Sequence, residues 1–332
     1  MSSMPATVSG PDCTLIVPVY RNEENIPHLL DRFAELNRQV SGGIEVICVV
    51  DGSPDRSHEL LEVGLSRAPY PSRLLLLSRN FGSFAAIREG LKAADGRYFA
   101  VMAADLQEPA ELTTEAFAAL QRDECDVTLG TRISRADPWM TRVTSGLFWG
   151  LYRTLIQREL PPGGVDVFAC NRAFRDQLLT FHEAHTSLVG QLLWLGFRRK
   201  LIPYARQQRQ HGNSAWRFSQ KLKYLLDSIY SFSDLPIKIF VALGTMGVVT
   251  SAVMGMAVLV SRISGAIAVP GYAATVIAVV FFSGLNMLGL GIIGSYVWRA
   301  YENTKSRPLA VVMRERRFAS SPPPSPQRSS TS

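Results

Sequence analysis

The sequence predicts an α/β domain built on a doubly wound, mostly parallel sheet, followed by helices of a different, lipid-facing character. Three observations carry this. Short apolar, β-rich runs alternate with helical patterns from residue 14 onward. The strand-like runs are nearly continuous in apolar residues, which marks strands buried on both faces. Charge almost vanishes over residues 239–298, whereas the first 235 residues read as an ordinary mixed domain.

Strands are expected at 14–19, 44–50, 73–78, 98–103 and 126–130, with helices at 26–40, 55–66, 83–94 and 110–121 between them. Ligands in such sheets bind beyond the carboxyl ends of the strands. Polar groups stand there each time. Tyr20, Arg21, Asn22 and Glu23 follow the first run, and Asp51, Gly52, Ser53, Pro54 and Asp55 the second. Arg79, Asn80, Phe81 and Gly82 follow the third, Asp105, Leu106, Gln107, Glu108 and Pro109 the fourth, Thr131 and Arg132 the fifth. Singly, Asp51, Ser53, Asp55 or Ser83 would serve as a helix N-cap. Together these strand ends outline a ligand site.

Residues 142–160 mix aromatics with arginines and suit a membrane surface and a core helix equally. A strand at 165–170 and two helices precede a basic stretch at 198–217. Within 216–236, Phe218, Leu222, Leu225, Ile229 and Phe232 recur at helical spacing with Lys221 and Lys223 between them. That is the pattern of an amphipathic juxtamembrane helix. Two uncharged runs, 239–260 and 272–297, each exceed the ~20 residues that cross a hydrocarbon core. The segment between them is too short for a domain, so residues 237–300 are expected to form a two-helix transmembrane hairpin. Basic residues before the first run and after the second place both termini in the cytoplasm. Tyr296, Trp298 and Tyr301 suit the membrane interface. Gly247, Ser251 and Gly255, and Gly291 with Ser295, give small faces for helix packing. Asn286 suits an interhelical hydrogen bond. Residues 301–332 read as basic and then, from 319, as a disordered Ser/Pro tail. Residues 1–12 read as a flexible N-terminus without a signal-peptide pattern.

Composition agrees with this division. The 332 residues carry a formal net charge of +7, with a pI of about 9.4 and a mean hydropathy of +0.08. Lys and Arg gather around the apolar runs, which points to anionic lipid or a phosphorylated substrate and away from nucleic acid, for which no binding motif stands out. Cys13, Cys48, Cys125 and Cys170 are widely spaced and read as reduced core residues. His182 and His185 lack a partner at metal spacing.

Residues 17–26 (VPVYRNEENI), 50–55 (VDGSPD), 79–82 (RNFG) and 105–109 (DLQEP) occur in order, followed by R-x-x-G-x-S-x-W at 209–216. The set resembles family-2 glycosyltransferases, in particular the branch that acts on polyprenyl phosphates. The resemblance spans roughly residues 13–305. It implies a GT-A nucleotide-sugar domain over 13–215 and transfer from a nucleotide sugar, UDP-linked by analogy, to a polyprenyl phosphate at the bacterial inner membrane, in envelope glycan or glycolipid modification. Pro18, Tyr20, Glu23, Asp51 and Asn80 would line the nucleotide-sugar pocket. Asp105, assisted by Gln107, would face the diphosphate through a divalent cation, Mg²⁺ or Mn²⁺. Arg132 and Arg142 would hold the acceptor phosphate, and Arg209 and Ser214 would close over the donor. Glu108 is a candidate general base. Relatives imply a homo-oligomer, a tetramer among the possibilities.

Two departures stand out. The family's paired aspartates read Val50-Asp51 here, and its D-x-D reads Ala103-Ala104-Asp105, so the first metal carboxylate is missing. A hard cation can still bind through one carboxylate, waters and substrate phosphates. A family-2 transferase with another acceptor and a catalytically weakened nucleotide-binding scaffold are the competing readings.

Overall fold

The computed structural model describes residues 11–132, 161, 164–183, 186–207, 229, 235–264 and 272–320. Arg142, Arg209, Ser214, the 142–160 helix and most of the 216–236 helix lie outside them.

Among the described residues eight strands form one sheet in the order β7-β5-β6-β4-β1-β2-β3-β8. These are β1 (Cys13–Val19), β2 (Ile44–Val50), β3 (Ser72–Leu77), β4 (Tyr98–Val101), β5 (Val127–Arg132), β6 (Phe168–Asn171), β7 (Arg199–Tyr204) and β8 (Val312–Phe318). The β1/β2, β1/β4, β2/β3 and β5/β7 pairs are parallel. Strand β6 is antiparallel between β4 and β5, and β8 is antiparallel on the β3 edge. The expected mostly parallel sheet is therefore present, with two reversed strands.

Alternate residues of each strand feed two cores. Leu15, Val17 and Val19 pack with Leu29, Phe33 and Phe117 on one face. Ile16, Ile47 and Val49 pack with Ile87, Leu91 and Phe174 on the other. The first core is covered by α1 (Ile26–Gln39), α2 (Ser57–Leu65) and α4 (Ala110–Gln121). The second is covered by α3 (Ser83–Ala93), α5 (Arg172–Leu179) and α6 (Leu188–Trp194). Helix α1 shows why these segments are helical. Proline occupies its first turn, where no amide partner is lost, and Ile26, Leu29, Phe33 and Leu36 fall on one buried stripe. Asn171 caps α5 by accepting from the Phe174 amide at 2.9 Å, and Ser187 caps α6 through the Gly190 amide at 3.2 Å.

Two strands were not expected. Strand β7 lies in the stretch read only as basic, and β8 in the tail. The 13–215 boundary therefore leaves out the segment that completes the sheet: β8 pairs with β3 from Ser72 opposite Phe318 to Leu77 opposite Val312. Arg316 bonds Glu62 of α2, and Phe318 packs on the α1/α2 core.

The apolar runs lie in two long helices, α7 (Leu235–Ile263) and α8 (Tyr272–Thr304). They pack antiparallel, with Phe240 against Gly289 and Phe282 against Gly247. Both present exposed apolar side chains, among them Val249, Met254, Met287 and Ile293. Among the described residues one helical stretch, 281–304, is long and apolar enough to cross a membrane, and 236–247 is a shorter apolar helix.

Candidate active site

The parallel strands all end on one edge of the sheet, and their loops form two adjoining groups of polar side chains. The first lies beyond β1, β2 and β3. Here the loops are laced by side chains that accept from backbone amides. The Arg21 amide donates to Ser53 Oγ at 2.8 Å, the Asn22 amide to Ser57 Oγ at 3.2 Å and the Glu23 amide to Asp55 Oδ2 at 3.1 Å. The Glu23 carboxylate in turn accepts from the Arg56 amide at 3.0 Å. Arg21, with φ of 52°, turns the chain to make this possible. Burial works to raise the Asp55 pKa, but hydrogen bonds from Ser53, Ser57 and the Glu23 amide outweigh it and hold the carboxyl below its ordinary value. The resulting cleft is lined by Arg21, Asn22, Glu23, Glu24, Asn25, Pro54 and Asp55.

Asp51, at the end of β2, is 2% exposed. Its two oxygens accept from the amides of Phe81 at 2.7 Å and Gly82 at 2.8 Å. Burial raises its pKa, and the two amides and Arg79 only partly offset this. Gly52 explains the close approach of the third loop. It has φ of +57°, and a Cβ there would stand 2.5 Å from the Asn80 nitrogen, a distance no side chain tolerates. Arg79 stacks over Phe81 at 4.1 Å, and Asn80 is exposed. Pro18 and Tyr20 are half-buried along the end of β1, with the Tyr20 ring beneath Arg21.

The second group lies beyond β4, β5 and β7. Leu106, with φ of 55°, turns the chain after Asp105. Gln107 is fastened to the segment after β7: the Gln207 amide donates to its carbonyl at 2.9 Å, and its side-chain nitrogen donates to the Gln207 carbonyl at 3.2 Å. The Arg206 guanidinium donates to the Gln107 side-chain oxygen and stands 3.9 Å from Asp105 Oδ2. Arg132 donates twice to Asp166 in a bidentate pair, and the Tyr204 hydroxyl donates to Asp166 Oδ2 at 2.7 Å. Burial opposes the charge on Arg132, but Asp166 overcomes this and keeps its pKa above the ordinary value.

Glu108 sits beneath this group, 3% exposed. Its Oε2 is buried without a hydrogen-bond partner among the described residues. Burial, then the negative charges of Asp105 and Asp166, push its carboxyl up to about 7, against the pull of Arg206. Its surroundings thus favour the protonated carboxyl.

A divalent cation would meet Asp105 and Gln107 here. Ala103 offers only a methyl group, and the Gln107 oxygen already accepts from Arg206. Among the described residues no three His, Cys, Asp or Glu side chains are grouped to hold a metal ion. These donors do not fit a cation held by the protein alone, since a hard ion takes about six oxygen ligands.

Residues 14–181, which carry the first loop group and Asp105 through Asp166 of the second, match the model of glycosyl transferase family 2. The chain belongs to this family. The transferase is 30% identical over 302 residues to an uncharacterized glycosyltransferase of Synechocystis, covering 91% of this chain and 94% of that one. It is 28% identical to the undecaprenyl-phosphate 4-deoxy-4-formamido-L-arabinose transferase of Proteus mirabilis, over 89% of this chain and 91% of the other. Among solved structures it is similar to a mannosyltransferase from Pyrobaculum calidifontis in complex with GDP-Man and Mn²⁺, at 18% identity and a TM-score of 0.47, covering 89% of this chain and 87% of that one.

The structure thus gathers Pro18, Tyr20, Glu23, Asp51 and Asn80 of the transferase in one group and Asp105, Gln107, Glu108 and Arg132 in the other. Each Asp51 oxygen accepts from a backbone amide of the third loop, a hold that strand-end spacing does not reveal. Three further residues enter the site. Tyr204 and Arg206 end a parallel strand and obey the strand-end rule, but β7 had not been recognised. Asp166 precedes an antiparallel strand, where that rule gives no signal.

Proposed function

We propose that this transferase moves a sugar from a nucleotide-diphosphate donor, UDP-linked, to the phosphate of a polyprenyl lipid at the cytoplasmic face of a membrane. The observation that carries the acceptor is the pairing of a glycosyltransferase domain with long apolar helices. The Proteus mirabilis relative, named for an undecaprenyl-phosphate acceptor, aligns with nine-tenths of the chain. The donor's nucleoside lies across the first loop group, and its diphosphate reaches the second.

The chemistry needs little from the protein beyond placement and charge. A lipid phosphate monoester is already anionic at neutral pH. Its oxygen attacks the anomeric carbon as the bond to the nucleoside diphosphate breaks, and the bonding pair leaves on the diphosphate oxygen. No proton has to be removed from the attacking oxygen. One displacement inverts the anomeric centre. The barrier lies in bringing two anions together and in the charge that builds on the leaving group. Arg132, oriented by Asp166, turns its guanidinium charge to a phosphate oxygen. Helices α7 and α8 hold the domain where the lipid headgroup sits, with Trp298 and Tyr301 near the end of α8.

Incubating purified full-length protein with labelled UDP- and GDP-sugars and undecaprenyl phosphate tests this reading. The expected result is a lipid-linked monophosphate sugar of inverted configuration, formed from a UDP donor. Transfer with retained configuration would refute the single displacement, and transfer to a lipid-free acceptor alone would refute the acceptor.

A further inference from the structure

The pair assigned by resemblance to a divalent cation, Asp105 and Gln107, already has a positive partner from the chain. Arg206 lies two residues past β7. It is held there by the two hydrogen bonds that tie Gln207 to Gln107. From that anchored position its guanidinium bonds the Gln107 oxygen and faces Asp105 Oδ2 at 3.9 Å. A metal ion binding the same two oxygens would lie within a few ångströms of a fixed positive charge and would have to displace it. The carboxylate that could tip the balance toward the ion is absent, because position 103 is alanine.

We infer that Arg206 is the resident counter-cation of this transferase, filling the place beside Asp105 and Gln107 that a protein-held divalent ion would take and turning its charge toward the departing diphosphate. The inference rests on the transferase reading above for the diphosphate, but not for the competition with a metal ion. Guanidinium suits the role because its planar fork presents several donors, so it can bond Gln107 and a phosphate oxygen together. Asp105 then orients Arg206.

The test is Mn²⁺ binding by the purified full-length protein without nucleotide or lipid, read from the free-ion signal in electron paramagnetic resonance. Arg206→Gln should bind Mn²⁺ at least about tenfold more tightly than wild type, since it removes the competing charge. Adding Asp105→Asn should abolish that gain. Arg206→Lys, which keeps the charge, should bind as weakly as wild type and guards against a folding artefact in the glutamine variant. Equal or weaker Mn²⁺ binding by Arg206→Gln with a normal melting curve would overturn the inference, as would tight binding by wild type that Arg206→Gln leaves unchanged. Sugar transfer is scored separately on wild type. Its absence would sink the acceptor reading and leave the metal comparison intact.

Discussion

The Asp51 carboxylate accepts from the Gly82 amide at 2.8 Å, joining the end of β2 to the turn that starts α3. With the matching bond from Phe81, this makes Asp51 a fastener of the third loop. Asp51→Ala would leave two amides without their acceptor. The expected cost is about 2–3 kcal/mol of stability, together with weaker nucleotide binding because the loop loses its position. Chemical denaturation and calorimetric titration with UDP check both. Unchanged stability would refute the fastening role.

Gly52 makes a sharper test of the same contact. Gly52→Ala adds a methyl group into the backbone of Arg79 and Asn80 at a positive φ. The expected penalty exceeds about 2 kcal/mol. A change within about 0.5 kcal/mol would mean that the loops do not approach as described.

Glu108 gives a pH dependence. Its carboxyl is raised from 4.5 to about 7 in the fold, so the native state favours the protonated form. The stability that this group contributes is fully present below about pH 4.5 and is lost as pH rises through about 7. A displacement of this size is worth on the order of 3 kcal/mol at the upper end. Glu108→Gln should therefore match wild type near about pH 4 and become the more stable protein by about pH 8. Thermal melts across this range decide it. A constant difference between the two proteins would rule out the titration.

Arg88 is 5% exposed, and its guanidinium donates to the carbonyls of Leu178, Leu179 and Phe181 at the end of α5. Burial lowers its pKa, yet an arginine stays charged and serves the negative end of the helix. Arg88→Leu should cost about 2–4 kcal/mol by stranding these carbonyls. A neutral outcome in urea denaturation would contradict that role.

Strand β8 ties the segment after α8 back to the sheet. Ending the chain at Arg307 would bare the β3 edge and uncover the site where Phe318 packs. The melting temperature should fall by about 5 °C or more, with aggregation through the exposed edge. An unaltered melt would show that β8 is dispensable.

The first four strand–helix pairs were legible because burial on both faces forces long apolar runs, and because local spacing reports helices directly. Strands β7 and β8 were not. At the two sheet edges, RKLIPY buries only Ile202 and Tyr204 and VMRERRF is exposed over almost its whole length, so neither carries the long apolar run of a central strand. The site was legible as a set of strand ends, but not in its partnerships. Arg132 was visible as a basic group after β5. Its carboxylate, Asp166, is brought in by an antiparallel pairing that only the folded sheet specifies. Asp51 was legible as a strand-end carboxylate, but its hold on the Phe81 and Gly82 amides was not. Chain-to-chain contacts of this length leave no trace in local spacing.

The most direct experiment compares undecaprenyl phosphate with undecaprenol as acceptors for labelled sugar, using wild type and Arg132→Ala. Transfer to the phosphorylated lipid alone is expected, falling by about a hundredfold or more in Arg132→Ala. Equal labelling of both lipids, or transfer to neither while another acceptor is labelled, would contradict a polyprenyl phosphate as the acceptor.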